Sequence, residues 1–593
     1  MNARDGRPGM GATAFDRLPG PVALDLFASG ASAVPVQLQR APAPRMLWLN
    51  ERAMAGDPAY HALGQDAVAY AAHLLAACAF VVPAAPAAAD TAGAEDWTTA
   101  HADRYGGPGI GTNGGSGRTA VVNGYLVKGV GKTPLIGIDA NAAHSSGGAY
   151  LEEAVRETIF SEIVEAEFPG SAIPTLAIID TGLVQVWQGE LTTSSEKRVL
   201  IVRPCMLRPA HFERAHSFLA ANPTEGALDF ARVQQVFHGV GAYCGAGPLR
   251  DQFLAFFSTW AQQLAYAYVH RLSPSGNSTS NICFDGKLLD FGACSSLPSW
   301  ARIVMVHGSP PTGEEFDILV QSARSLAYFF GRCHDGEMGQ DGFIAQVLQA
   351  AHASYRRTLA EEVLRLCGIP RHHAAAAASG AGQARIEAIV GRLFAHYRKE
   401  RFDIVDFTPS SAVAWDLPDV WLAQAPEHLK PLRDLLDELA TGASADAARR
   451  RCRFISRTRP ELFREEMKYR LLAAINRIVQ AGHAERAPLT AMICGAVAAG
   501  RRDGRHEPDQ AVPCGFAVAP QFSLALFACT RSGSHFAAIE WETPAYFAAL
   551  GITTASCCAD RPGCLPVQDW DQAGITLGGV SPLRLACATS GWQ

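Results

Sequence analysis

Residues 281–292 read NICFDGKLLDFG, an Asp-Gly pair between two short apolar runs, with Asn281 and Asp290 near the ends. Asp-Gly flanked in this way signals a two-residue hairpin loop, because a type I′ turn needs positive φ at both central positions. With Asp285 and Gly286 as the loop, Phe284 pairs with Lys287, Cys283 with Leu288 and Ile282 with Leu289, and Asn281 falls opposite Asp290. Opposite residues of an antiparallel pair share a face, with Cβ atoms roughly 4.5–5.5 Å apart. An amide oxygen and a carboxylate at that spacing can grip one hard cation whose other positions hold phosphate or water. Taken alone, the same residues also read as an ordinary hairpin with polar ends.

Upstream of this stretch the order of parts carries more. GRTAVVNGYLVKG, 117–129, is a second hairpin signal, with Asn123-Gly124 between apolar strands and Lys128 on the second strand. A helical stretch follows, AYLEEAVRETIFSEIVEAEF, in which Glu157 shares a stripe with Phe160 and Val164. A half-buried carboxylate there wants a cation. Two apolar strands come next, TLAIIDTGLVQVWQG and RVLIVRP, and then a helix over 246–270 that leads into the opening hairpin. A lysine on a strand, a glutamate on the next helix, then an Asn and an Asp-Phe-Gly as metal ligands is the order found in protein kinases. Each residue alone also reads as a solvated surface group. The kinase pattern is broken at one point: His270-Arg271 is followed by Leu272, and no carboxylate lies between Arg271 and Asn281.

Two glycine motifs are decoys. GVGKTP, 129–134, resembles the end of a phosphate-binding P-loop, but the required first glycine is Leu126, and Pro134 does not open a helix. GIGTNG, 109–114, matches G-x-G-x-x-G without a preceding strand, so it is not a dinucleotide fingerprint. It can still lay bare backbone N–H groups over phosphates.

The matching segments GGSGRTAVV, YLVKGVGKTP, SSGGAYLEEAVRE, IPTLAI, VRPCMLRPAHFE and NICFDGKLLDFG lie in order over 115–292. Together they resemble the selenoprotein O family of pseudokinases, of which this chain looks like a divergent member. The resemblance implies a kinase-like fold that transfers AMP from ATP to protein hydroxyls, with the nucleotide flipped relative to kinases. It implies that Gly115, Gly117 and Arg118 form a nucleotide loop, that Lys128 and Glu157 pair, and that Ser146 and Gly147 stand where the family has Asp-Gly. It further implies phosphate-pocket roles for Arg203 and Arg208, two residues closer together than in the family, and metal-ligand roles for Asn281 and Asp290. The family's proposed base is an Asp just before the metal-binding Asn, and here that residue is Ser280, a poor base at neutral pH.

Bulk properties fit a globular chain. It has 593 residues, 48% apolar and 18% charged, enough for two to four domains. A net charge of −6 without a basic block argues against nucleic acid as a partner. Fifteen scattered cysteines fit a reducing, cytoplasmic setting with buried thiols, and the cysteines after Cys514 do not have zinc spacing. The N-terminus lacks the apolar core of a secretory signal, and His73, Pro83 and Pro86 interrupt the most apolar window, so no membrane span is expected. The expected fold class is α+β: a protein-kinase-like two-lobed fold with an additional C-terminal region of helices followed by strands. Residues 1–99 are an arm to about 40 followed by a helical region over 44–82, and 83–117 are loop. The pseudokinase core spans 100–410, its first lobe ending near 210 and a low-complexity break falling at 374–384. Residues 411–593 are an appended module of unknown type, which points to a dedicated partner. The expected activity is transfer of AMP to a protein or peptide hydroxyl, with ATP and Mg²⁺ or Mn²⁺ as cofactors and Lys128, Glu157 and Asp290 as catalytic residues. Other ATP-dependent peptide tailoring, and a nucleotide-binding scaffold without catalysis, are the alternatives.

Overall fold

The structure is a computed structural model. It describes residues 32–83, 96–140, 146–188, 193–220, 229–244, 246–274, 276–306, 308–334, 339–406, 416–442, 444–480 with short gaps before 462, 486–500, and the backbone of four strands after 510. The described residues form a mixed α+β structure built on an antiparallel sheet.

That sheet has nine strands: β1 (Ala33–Arg40), β2 (Arg45–Leu49), β3 (Phe80–Val81), β4 (Trp97–Asp103), β5 (Thr119–Val122), β6 (Tyr125–Lys128), β7 (Ala149–Tyr150), β8 (Ala177–Gln188) and β9 (Thr193–Pro204). Their order is β2-β8-β9-β6-β5-β4-β1-β3, with β7 also on β9. The expected Asn123-Gly124 hairpin is present: Val122 faces Tyr125, and Asn123 and Gly124 have φ of 46° and 94°. Three expectations fail upstream. The arm to residue 40 ends in β1, whose alternating Val36 and Leu38 point into the core. Pro35 obscured that alternation; it is tolerated because β3 pairs with β1 only at Gln39 and Arg40. The helical region over 44–82 instead holds β2, α1 (Pro58–Ala62), α2 (Ala67–Cys78) and β3, and the 83–117 loop contains β4.

The helix α3 (Leu151–Glu167) crosses one face of the sheet. It is followed by α4 (Asp229–Cys244), α5 (Ala246–Val269), α6 (Phe316–Cys333), α7 (Gly339–Leu366), α8 (Arg371–Ser379) and α9 (Gln383–Tyr397). The alanine run placed in the 374–384 break is part of α8, as alanine's helix propensity favours, and the interruption is confined to 380–382. Further on lie α10 (Lys430–Leu439), α11 (Arg464–Gln480) and α12 (Arg486–Gly500). Two short pairs, β10 (Leu272–Ser273) with β11 (Ser295–Ser296) and β12 (Arg302–Val304) with β13 (Arg401–Asp403), bracket the middle of the chain. Four antiparallel strands, β14 to β17, span Ala511–Pro566. The tail cysteines lie outside the residues whose side chains are described. Among the described cysteines, Cys78, Cys283, Cys294, Cys367 and Cys452 are buried free thiols. Among the described residues, no helix is long and apolar enough to cross a membrane.

Residues on both sides of position 410 share cores. Ile159, Phe160, Ile163 and Val164 of α3 pack in one cluster with Val199 and Ile201 of the sheet, Met467, Leu471 and Ile475 of α11, and Leu489, Ile493 and Val497 of α12. A second cluster joins Trp300, Leu364, Leu393 and Phe394 to Leu417, Leu432, Leu436 and Cys452. Helix α3 is therefore buried on nearly every side, by the sheet and by helices that follow residue 460. A chain ending at residue 410 would bare the outer face of α3 and lose part of the second cluster. It should show no cooperative thermal unfolding by circular dichroism; a melt close to that of the full chain would contradict this packing.

Candidate functional site

The site is assembled on the sheet face that α3 covers. Lys128 lies opposite Ile201 and Leu126 opposite Arg203, so all four side chains leave the β6–β9 pair on one face. Lys128 and Arg203 are thereby diagonal neighbours, and one acceptor from α3 can reach both. That acceptor is Glu157. Its Oε1 lies 2.5 Å from Lys128 Nζ, and its Oε2 accepts from Arg203 Nη2. The carboxylate has no solvent exposure. Breaking a buried pair of this kind by removing one partner costs about 3–5 kcal/mol, because a charge is left uncompensated.

Asp290 joins from the other side. Its Oδ1 is 2.9 Å from Lys128 Nζ, and its side chain keeps 39% exposure. Burial alone would raise the Asp290 carboxyl, but Lys128 and Arg118 outweigh it and hold the group well below the usual carboxylate range. The hairpin that delivers it differs from the expected one by a residue. Cys283 N–H donates to Lys287 C=O, Ile282 bridges Leu288, and Leu289 N–H donates to Asn281 C=O. Asn281 thus faces Leu289 and not Asp290. The loop is three residues long, Phe284 to Gly286, closed by Gly286 N–H on Cys283 C=O, with Gly286 at φ 93° in the left-handed position such loops reserve for glycine. Asp290 itself has φ 62°, uncommon for a non-glycine residue, which ends the strand and redirects its side chain.

Arg118 belongs to the same network. It forks onto Glu153 at 2.7 and 3.1 Å and donates to Gly148 C=O at 3.0 Å. Glu153 also lies 3.2 Å from Lys128; burial opposes its ionisation, and Lys128 and Arg118 still bring it down to about 2. Gly115 has φ 144°, and a Cβ there would collide with the Asp103 carbonyl, so only glycine lets the bend before β5 pass that close to β4. A Cβ on Gly117 would meet Ile136 Cγ1 at 2.5 Å. Gly147 has φ 73° and accepts from Gly131 N–H, while Ser146 Oγ accepts from Tyr150 Oη at 2.8 Å. This turn touches the network through Gly148, on which Arg118 donates.

Arg208 sits in a neighbouring network. Its Nε is 3.3 Å from Asp103 Oδ2, its guanidinium lies 4.9 Å from the Tyr105 ring centroid, and Nη1 donates to Ser280 C=O. His211 Nδ1 accepts from Arg208 N–H at 2.9 Å, and its Nε2 then donates to Asp103 Oδ1 at 2.7 Å. Ser280 Oγ is 2.8 Å from Ser278 Oγ, so hydroxyls occupy the position before Asn281. A Cβ on Gly109 would lie 2.6 Å from Ser278 Oγ, which places the glycine-rich stretch over this turn.

Asn281 and Asp290 suit a metal that arrives with phosphate. Among the described residues no three His, Cys, Asp or Glu side chains form a cage. Mg²⁺ commonly uses one or two protein oxygens and takes the rest from water and phosphate, so an amide and a carboxylate suit it by donor chemistry, while the observed register sets Asn281 opposite Leu289 and Asp290 on Lys128.

Sequence reasoning missed several residues here. Glu153 lies one helical turn before Glu157, and that spacing was a usable signal. Arg156 donates to Gly292 C=O, 136 residues away, and so fastens α3 to the Asp-Phe-Gly turn; it had no local signal. Asp103 lies at the end of β4, which read as loop. Glu213 is fully buried, accepts from Thr279 Oγ1, and burial pushes its carboxyl up from 4.5 to about 7.

The folded chain therefore keeps the Glu213 proton over a range where the unfolded chain has lost it. The folded state binds more protons there, so this group lowers stability as pH rises from about 4.5 to 7. Glu213→Gln should raise the unfolding free energy at pH 8 by on the order of 3 kcal/mol, read as a higher melting temperature, and change it little at pH 4.5. Equal effects at both pH values would refute the burial account.

No protein-family model matches the chain, and no curated protein matches it.

Proposed function

We propose that this chain uses a protein-kinase-like two-lobed fold to transfer AMP from ATP, with Mg²⁺ or Mn²⁺, onto a hydroxyl of a protein or peptide: the hydroxyl oxygen bonds to the α-phosphorus, the α–β phosphoanhydride bond breaks, pyrophosphate leaves and the hydroxyl proton passes to solvent. One observation carries the reading: Glu157 holds Lys128 and Arg203 on its two oxygens, while Asp290 reaches the same lysine from the hairpin. That lysine–glutamate–aspartate arrangement is what phosphoryl-type chemistry asks of a protein, since such reactions depend on positioning and charge neutralisation. The resemblance of segments 115–292 to the selenoprotein O family supports AMP as the group transferred.

On this reading Lys128 and Arg203 cradle the outer phosphates, with Glu157 fixing both cations before the nucleotide arrives. Asn281 and Asp290 would hold the metal, which supplies neutralisation of phosphate charge. Arg208, fastened to the Ser280 carbonyl, keeps the turn that carries Asn281 in register. With the outer phosphates held deep, the α-phosphate faces the acceptor. Ser280 favours a second reading, a nucleotide-binding scaffold without turnover, because no carboxylate occupies the position from which the family draws its base.

Incubation with Mg²⁺ and ATP labelled on either the α- or the γ-phosphate separates these. Transfer of α-label, with an adduct mass of one AMP on the chain or an added polypeptide, is the expected result; γ-label alone would overturn it. Lys128→Ala, Glu157→Gln and Asp290→Asn should each reduce α-label transfer by about 10²-fold or more while the chain stays folded. Ser280→Asp should increase it.

A further inference from the structure

Helix α3 carries three site contacts on nearby residues: Glu153 to Arg118, Arg156 to the Gly292 carbonyl, and Glu157 to Lys128 and Arg203. What holds α3 in place lies far along the chain. Glu167, its last residue, is fully buried and paired in a fork with Arg459, at 2.8 and 3.2 Å. Arg459 Nη1 also reaches the Gly500 carbonyl at 3.3 Å, at the end of α12. A Cβ on Gly500 would lie 2.7 Å from Ile163 Cδ1 and 2.9 Å from Leu462 Cδ1, so α12 and α3 are in close contact there.

The surroundings of Arg459 tie down the other half of the site too. Ser296 Oγ, six residues after Asp290, donates to the Arg459 carbonyl at 2.6 Å. Arg464 N–H donates to Ser295 Oγ at 3.0 Å. Arg271, just before the stretch that leads to Asn281, donates to the carbonyls of Ser456 and Pro298. Ser456, Arg459 and Leu462 are themselves buried. One short piece of chain thus contacts the end of the Glu157 helix, the strand after Asp290 and the segment before Asn281.

We infer that Arg459 is a positioning residue of the site, which through Glu167 sets the placement of α3 and hence of Glu153, Arg156 and Glu157. Ser456, Arg459, Leu462 and Arg464 then belong to the phosphate-binding unit and are not part of a detachable substrate module. This rests on the reading of the site as an ATP site, but its physical core, the fixing of α3, does not. A guanidinium suits the task because its planar fork engages both carboxylate oxygens and still has a donor for Gly500.

The test uses the full chain with Arg459→Leu, and with Arg459→Lys, which keeps the charge but not the fork and serves if the leucine variant does not fold. Hydrogen exchange followed by mass spectrometry should show amides of residues 157–167 exchanging at least tenfold faster than in the parent chain, with α9 unchanged. The apparent affinity for ATP, measured by equilibrium dialysis per mole of folded protein, should fall tenfold or more; a merely structural loss lowers the folded fraction and leaves that affinity unchanged. Unaltered exchange over 157–167 in a folded variant would overturn the inference. So would raised exchange with ATP affinity intact. If the parent chain binds no ATP, the proposed function fails, and the exchange result alone decides whether Arg459 places α3.

Discussion

Everything in the site depends on one carboxylate that water cannot reach. Glu157 lies under the sheet with a lysine on one oxygen and an arginine on the other. Taking a charge out of water costs several kcal/mol, and only well-placed counter-charges offset it. The register of β6 against β9 supplies them, by putting Lys128 and Arg203 on one face at diagonal positions. Shift that register by one residue and Lys128 and Arg203 end on opposite faces, leaving the glutamate one cation short. Sheet pairing and site assembly are therefore one constraint.

A second layer of charge surrounds the first. Arg118, Lys128 and Arg203 face Glu153, Glu157 and Asp290. Three cations meet three carboxyl groups, of which burial pushes Glu157 up from the usual carboxylate range, and each cation is already engaged. On the proposed reading, an entering phosphate would exchange partners with residues that are already desolvated. Asp290 is the member most exposed to solvent, and its left-handed backbone aims it at Lys128 from a turn that would otherwise lead it elsewhere.

Much of this could be read from the chain, and the parts that could not share a physical cause. The Asn123-Gly124 turn and Lys128 after it were legible because two-residue turns and alternation are local signals. Helix α3 and Glu157 were legible because their stripe repeats within a few turns. The hairpin at 281–290 was legible in kind and wrong in register: a three-residue loop with glycine at its end looks the same in sequence as a two-residue Asp-Gly loop. Strand β1 was hidden by Pro35, and β4 by the glycines that follow it. Arg156 on Gly292 and Arg459 on Glu167 were beyond reach, because neither partner has a local pattern and only tertiary packing brings them together.

The pairing of Glu167 with Arg459 spans 292 residues. Contacts so distant in sequence form slowly, since closing a long loop loses entropy before any contact is gained. On the ribosome, where chains grow at about 5–20 residues per second, the sheet and α3 would emerge well before the residues that complete their burial. For that interval the outer face of α3, with Ile163 and Val164, has no partner and a charged Glu167 at its end. Until Arg459 and α12 arrive, this half-built core would present an apolar helix face to solvent, the kind of surface on which slow, non-local folding exposes a chain to aggregation.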